Sequence, residues 1–281
     1  MKNLLLRSVS GIVYVGIIVA GLIAGQWAFA GMCAVFTILA VVEFGKLCHA
    51  GKGETCRALM LLDVLGGLAM VGAAFLYFSG TVELPLGLIA VPYVFYLIAR
   101  PVAQLYMRKA PALEGLACSL MGQVYVALPM AMMNVLYFDL ATPHLLLAMF
   151  IMIWLNDTGA FVVGSAMGRH RLFPRVSPKK SWEGFWGGMA FSVGSAFLFH
   201  EVFPSFFAGA GLWTLVGLGA VVSVFATWGD LVESLIKRTV GVKDSGNLIP
   251  GHGGILDRID SLLLVIPAMV CYFILTGCLA G

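Results

Sequence analysis

Charge is scarce in this chain. Asp, Glu, Lys and Arg together make 11% of its 281 residues, against about 25% in a soluble domain. With 60% hydrophobic residues and a mean hydropathy of +0.98, an ordinary water-soluble fold is excluded. The composition predicts an all-α, polytopic integral membrane protein. The net charge of +3 is too small to favour a nucleic-acid partner. No two of the six cysteines form a Cys-x-x-Cys pair, so neither a zinc site nor a disulfide framework is indicated. Cys33, Cys48, Cys56, Cys118, Cys271 and Cys278 read as small apolar packing residues. Internal repeats and low-complexity linkers are also missing.

What is present is a series of apolar runs. A helix needs about 20 such residues to cross hydrocarbon. Nine candidate spans emerge, at residues 9–24, 27–48, 59–79, 84–99, 116–137, 144–164, 184–201, 212–228 and 261–281. Lys2 and Arg7 before the first run, with Ala28 and Ala30 beyond it, imitate a signal peptide. Another apolar run follows at once, so an uncleaved first helix is expected. On this count all 17 Lys and Arg fall on alternate connections or, as with Lys46, at the span end that faces them. Cytoplasmic loops carry the Lys/Arg excess, which puts the N-terminus inside and the C-terminus outside.

The polar residues divide the chain by function. Residues 1–140 read as scaffold helices with short connections. Residues 141–281 read as a catalytic half, with two long polar loops at 169–183 and 229–260 on the side predicted to be cytoplasmic. The second reads SLIKRTVGVKDSGNLIPGHGGILDRID from Ser234. Its cations Lys237, Arg238, Lys243 and Arg258 suit a polyanion, its carboxylates suit a divalent metal, and its glycines let backbone approach phosphate. Phosphoryl or nucleotidyl transfer at a membrane surface is the chemistry these types support.

Asp257 and Asp260 lie three apart at the start of the last span, on one helical face. They make half of a Mg²⁺ site, or else a solvated helix start. Asp230 and Glu233 are one turn apart, either as metal or substrate contacts or as interfacial acids, with Lys237 at i+4 from Glu233. Asp157 is a charge inside a span, where such groups usually face a polar interior; with Asn156 and Thr158 it suggests a hydrated pocket or a structural hydrogen bond. In the first loop, Lys179, Lys180 and Ser181 with Trp182 suit phosphates and a base or ribose, or a positive-inside anchor. His252 between glycines is either a phosphate contact or proton shuttle, or a turn residue. Glu43 and Asp63 stand unassigned.

These residues carry a family resemblance. Ser234-Leu-Ile-Lys-Arg, then Lys243-Asp, Pro250-Gly-His-Gly-Gly and Asp257-Arg-Ile-Asp260 resemble the signature of the phosphatidate cytidylyltransferases. The 177–184 loop and the Asn156-Asp-Thr-Gly-Ala segment are also similar to that family. The resemblance covers the C-terminal half in motifs. It implies CTP and phosphatidic acid as partners, CDP-diacylglycerol and pyrophosphate as products, and Mg²⁺ as a required cofactor; Asp157, Asp230, Asp257 and Asp260 are the carboxylates expected to hold one or two cations. Asp230, Lys243, Asp257 and Asp260 become the expected catalytic set, and Lys179, Lys180, Ser181, Ser234, Lys237, Arg238, His252 and Arg258 the expected substrate contacts. The expected location is the bacterial inner membrane, with the site on the cytoplasmic side. A homodimer is a further expectation, since small residues such as Gly187, Gly188 and Ser192 suit packing within or between chains. A transporter would place its polar groups nearer the midplane. A CDP-alcohol phosphotransferase would need an Asp-Gly-x-x-Ala-Arg start that is absent here. A CTP-using lipid kinase is a closer rival.

Overall fold

The structure is a computed structural model in which residues 2–50, 56–106, 112–139, 144–206, 211–248 and 253–277 are described, the side chains of residues 2–8 excepted. It is almost wholly helical. Its elements are α1 (Lys2–Ile23), α2 (Gln26–Cys48), α3 (Arg57–Ser79), α4 (Leu86–Leu105), α5 (Ala112–Gly122), a π-helical turn (Gln123–Ala127), α6 (Leu128–Phe138), α7 (His144–Met167), the strands β1 (Arg171–Phe173) and β2 (Ser177–Ser181), α8 (Trp182–Val202), α9 (Leu212–Thr239) and α10 (Leu256–Thr276). Because α5, the π turn and α6 run on without a break, the described residues form nine continuous helices.

Seven of these are long and apolar enough to cross a membrane by length and composition. In hydrocarbon only closed hydrogen-bonding structures survive, and helices satisfy every backbone group internally. The chain is an integral membrane protein. Two helices fall outside the seven. The apolar part of α1 is the shorter segment Val9–Ile23, and α8 opens with Trp182-Glu183 and is diluted by glycines and serines.

The chain divides into two compact units. The first comprises Met1–Val135 and Val240–Arg258, the second Leu136–Thr239 and Ile259–Gly281. In the first, α1 packs on α2, α2 on α3, and α3 on α4, with the π turn against α2 and α3. In the second, α7, α8 and α9 pack against one another. There the small residues bring backbones together. A side chain on Gly187 would strike Val163, and one on Gly188 would strike Asn156. The Ser192 hydroxyl donates to the Gly219 carbonyl at 2.9 Å. Gly187, Gly188 and Ser192 are therefore packed within the chain.

Three expectations need correction. α4 does not stop at residue 99; it continues to Leu105 through Pro92 and Pro101. Arg100 is consequently a buried helix residue and not a loop cation. Its guanidinium donates from Nε to Asp63 at 2.9 Å and to Ser119 at 2.7 Å, and from Nη1 to Gln104 at 2.9 Å. Tyr96 and Ser119 complete the cluster by donating to Asp63 at 3.0 and 2.7 Å. That set of partners is what permits the charge inside a span. Second, the polar stretch 229–260 is not all loop. Its first part continues α9 to Thr239, because Asp230–Arg238 contains neither glycine nor proline. Third, the first loop folds as an antiparallel ribbon, pairing Arg171 with Ser181 and Phe173 with Ser177.

Candidate functional site

In the second unit, α9 and the ribbon build a charged cluster. On α9, positions three and four apart share a face, so Asp230, Glu233, Ser234 and Lys237 line up along one side. Glu233 and Lys237 are both buried, and Lys237 donates to the Glu233 carboxylate one turn earlier. Ser234 donates to Asp230 Oδ1 at 3.1 Å. β2 delivers Lys180, whose Nζ stands 2.5 Å from Asp230 Oδ2 and 3.5 Å from the Thr227 carbonyl. Phe173 of β1 meets Trp228 edge-on, with ring centres 5.6 Å apart, which pins the ribbon against α9.

Ser181 ends the ribbon and starts α8. Its hydroxyl accepts the Gly184 amide at 3.1 Å, an N-cap that satisfies one of the orphan donors of the helix. Glu183, in the first turn of α8, reaches back to the ribbon. Its carboxylate accepts from the Arg169 amide at 3.1 Å, the His170 amide at 3.2 Å and the His170 ring at 2.6 Å. Its own amide first, then the His170 ring and these backbone donors, hold the Glu183 carboxyl down to about 2.

Asp260, on α10, is half-buried and accepts the Ser261 amide at 2.6 Å. It lies in the field of three further carboxylates of its unit, Asp230, Glu233 and Asp157. Asp157 sits on the exposed side of α7, while its neighbour Asn156 is the buried one and accepts from Ser223 at 2.7 Å. Consecutive helix residues point in different directions, so only one of the two can face α9. Of the two residues expected at a hydrated pocket or a structural hydrogen bond, Asp157 is exposed and Asn156 makes the buried bond.

These four carboxylates stand with two ammonium groups, Lys180 and Lys237. Among the six, a formal excess of two negative charges remains, which complements one divalent cation. The oxygen donors are of the hard type that Mg²⁺ prefers. Among the described residues no group of three or more His, Cys, Asp or Glu side chains is arranged to hold a metal alone. Mg²⁺ is usually held by one or two carboxylates with water and substrate phosphates completing the shell. The residues present fit the ion.

The first unit contains the other signature residues. Lys243 and Arg258 are exposed there. Asp257 Oδ2 accepts three bonds, from the Ser245 amide at 3.0 Å, the Ser245 hydroxyl at 2.9 Å and the Gly254 amide at 2.8 Å. Sequence reasoning placed Asp257 and Asp260 on one face. α10 passes from the first unit to the second after Arg258, and each carboxylate has its own surroundings. His252 lies outside the described residues. Arg238 is exposed on the last turn of α9, and Lys179 is exposed on β2, with its carbonyl 3.4 Å from the Arg171 guanidinium.

Sequence reasoning left Glu43 without a role. It is a buried residue near the C-terminal end of α2, more than 200 positions from the residues it meets. No local pattern announces such a contact. The only trace is the glycine density of the loop, which shows that some group approaches its backbone closely.

A profile of the cytidylyltransferase family matches residues 5–276. Relatives named phosphatidate cytidylyltransferase include one from Staphylococcus aureus (strain COL), 47% identical over 128 residues, which covers 45% of this chain and 47% of the relative. One from Staphylococcus saprophyticus is 47% identical over 126 residues, with the same coverage. One from Staphylococcus haemolyticus is 46% identical over 128 residues, again covering 45% and 47%. The matched stretch spans about half the length of these relatives.

Proposed function

This chain belongs to the cytidylyltransferase family, and from that premise we propose that it transfers a cytidylyl group from CTP to phosphatidic acid, giving CDP-diacylglycerol and pyrophosphate. The observation that carries the reading is the pairing of Lys180 with Asp230, 2.5 Å apart, in the same field of carboxylates as Asp260. Cations for phosphate and carboxylates for a metal are here within one unit. The named relatives point the same way.

In this reaction a phosphate oxygen of phosphatidic acid forms a bond to the α-phosphorus of CTP. The bond from that phosphorus to the bridging oxygen breaks, and its electron pair leaves with pyrophosphate. The attacking phosphate is already an anion near neutral pH, so no strong general base is required. The protein's task is to position two polyanions and to neutralise their charge. Bound Mg²⁺ would supply charge neutralisation at the phosphates. Asp230 and Asp260 would hold it, with Asp157 within electrostatic reach. Lys180 is tethered by Asp230 and would present its ammonium to a phosphate oxygen. Ser234 keeps the Asp230 carboxylate in one orientation. Lys179 and Arg238 are exposed cations of the same unit and suit the outer phosphates. Lys243 and Arg258 are exposed cations on the signature loop. Lys237, held by Glu233, acts mainly by fixing that carboxylate.

The membrane-embedded fold and the lipid substrate belong together, because phosphatidic acid never has to leave the bilayer. We assign the site to the cytoplasmic face of a bacterial inner membrane, where CTP is available, and place the N-terminus on the same side. The test is direct. Purified protein is incubated with α-labelled CTP, phosphatidic acid and Mg²⁺, and the lipid extract is analysed. A labelled CDP-lipid with release of pyrophosphate is the expected result. Unlabelled lipid, or a phospholipid formed with free CDP, would reject the assignment. Labelling of a single cysteine placed at Lys243 by a membrane-impermeant reagent in whole cells would reject the cytoplasmic placement.

A further inference from the structure

We propose that Glu43, on α2, is a positioning residue for the signature loop, clamping it in the shape that its part in cytidylyl transfer requires. The inference rests on the reaction assigned above.

The geometry lies wholly within the first unit. Glu43 Oε2 accepts the Leu256 amide at 2.7 Å. Leu256 is the first residue of α10, so this bond satisfies an orphan donor of that helix from a remote side chain. The same oxygen lies 3.2 Å from the Ser245 hydroxyl, which in turn stands 2.9 Å from Asp257 Oδ2. One hydroxyl thus bridges two carboxylates with a single proton. The chain Glu43–Ser245–Asp257 runs from α2 through the loop to the start of α10. Two glycines record how close the approach is. A Cβ on Gly246 would fall on the Glu43 carboxylate, and the atoms nearest to it all belong to Glu43. A Cβ on Gly254 would overlap both Glu43 and Ser245. The loop therefore closes over the carboxylate and leaves no room for side chains at these points.

A buried carboxylate must find hydrogen bonds or be strongly disfavoured. Here its partners are Leu256, which precedes Asp257, and Ser245, which follows the exposed Lys243-Asp244 pair. Losing the clamp would release the loop without removing a group that touches CTP. Such a defect lowers kcat more than it raises KM, because orientation is lost chiefly in the transition state.

The experiment compares purified wild-type protein with Glu43→Ala, Glu43→Gln, Gly246→Ala and the double variant Glu43→Ala with Gly246→Ala. Turnover and KM are measured, together with the rate of tryptic cleavage within residues 239–258. Glu43→Ala should lower kcat about tenfold or more while shifting either KM less than about threefold. Glu43→Gln keeps an acceptor for the Leu256 amide and a partner for Ser245, and should return to within about threefold of wild type. Gly246→Ala should cost about tenfold alone but no more than about threefold when added to Glu43→Ala, since the clash has been removed. Turnover by Glu43→Ala close to wild type would overturn the proposal. So would a Gly246→Ala penalty that is as large in the Glu43→Ala background as alone, or a Glu43→Gln protein as impaired as Glu43→Ala. Tryptic cleavage separates this proposal from the reaction it rests on. If wild-type protein makes no CDP-lipid, the reaction assignment falls, while faster cleavage in Glu43→Ala and Gly246→Ala still supports the clamp and unchanged cleavage overturns it.

Discussion

Lys180 and Asp230 form an ion pair of 2.5 Å between the β-ribbon and α9, and both side chains are only partly covered, at 27% and 35% exposure. A pair so open to solvent contributes roughly 0.2–1 kcal/mol to stability. Its position beside three other carboxylates matters more for chemistry than for folding. Lys180→Met should therefore lower turnover about tenfold or more while moving the melting temperature in detergent by no more than about 2–4 °C. A loss of activity that merely tracks a large fall in melting temperature would return the pair to a structural role.

The charge imbalance around Asp260 makes the second expectation specific. Chelation with EDTA should abolish activity, and added Mg²⁺ should restore it. Asp260→Asn removes one carboxylate from the field of Asp230, Glu233 and Asp157. It should raise the Mg²⁺ concentration needed for half-maximal rate by about an order of magnitude, while the protein stays folded. An unchanged Mg²⁺ profile would take Asp260 out of the cation site.

Glu183 controls an acid-sensitive contact. Its carboxyl is held at about 2 against an ordinary value of 4.5, by its own amide first and then by His170 and Arg169. A folded-state value below the unfolded one means that the contribution is complete above pH 4.5 and is lost as pH falls toward 2. Hydrogen exchange at the Arg169 and His170 amides should accelerate over that window beyond the intrinsic pH trend. In Glu183→Gln the extra acceleration should vanish. A wild-type protein with the intrinsic trend alone would refute the assignment.

Arg100 and Asp63 give a prediction about stability. Breaking one partner of a buried, hydrogen-bonded pair costs about 3–5 kcal/mol, because the other charge is stranded. Arg100→Met alone should lower the unfolding temperature clearly. Combining it with Asp63→Leu should recover much of the loss. A double variant no better than the single would mean that the network acts through Gln104 and Ser119, and not through the ion pair.

Much of the fold was legible because apolar runs of membrane length leave little choice of structure. The helices lie where those runs lie, and the C-terminal motifs were visible as dense polar text between them. What escaped reading depended on distance or direction. Arg100 looked like a loop cation because its partners Asp63 and Ser119 sit on other helices. Asp157 and Asn156 look equally buried in a string of letters, yet a 100° step buries one against α9 and leaves the other exposed. The ribbon escaped because strands as short as Arg171–Phe173 have no measurable period. Glu43 escaped because its contacts are set entirely by tertiary structure. Within the candidate site, Asp230, Asp260 and Lys180 could be chosen from sequence by charge and spacing, but the pairing that turns Lys180 toward Asp230 could not.

The buried guanidinium of α4 also constrains how the protein is made. An arginine entering hydrocarbon unaccompanied costs about 3 kcal/mol, and a lone aspartate costs a similar amount. Asp63 and Arg100 lie on consecutive helices, so each crossing costs less once the other is present. Insertion of α3 and α4 together as a hairpin would spare each charge that cost, with the two neutralising each other as they leave water.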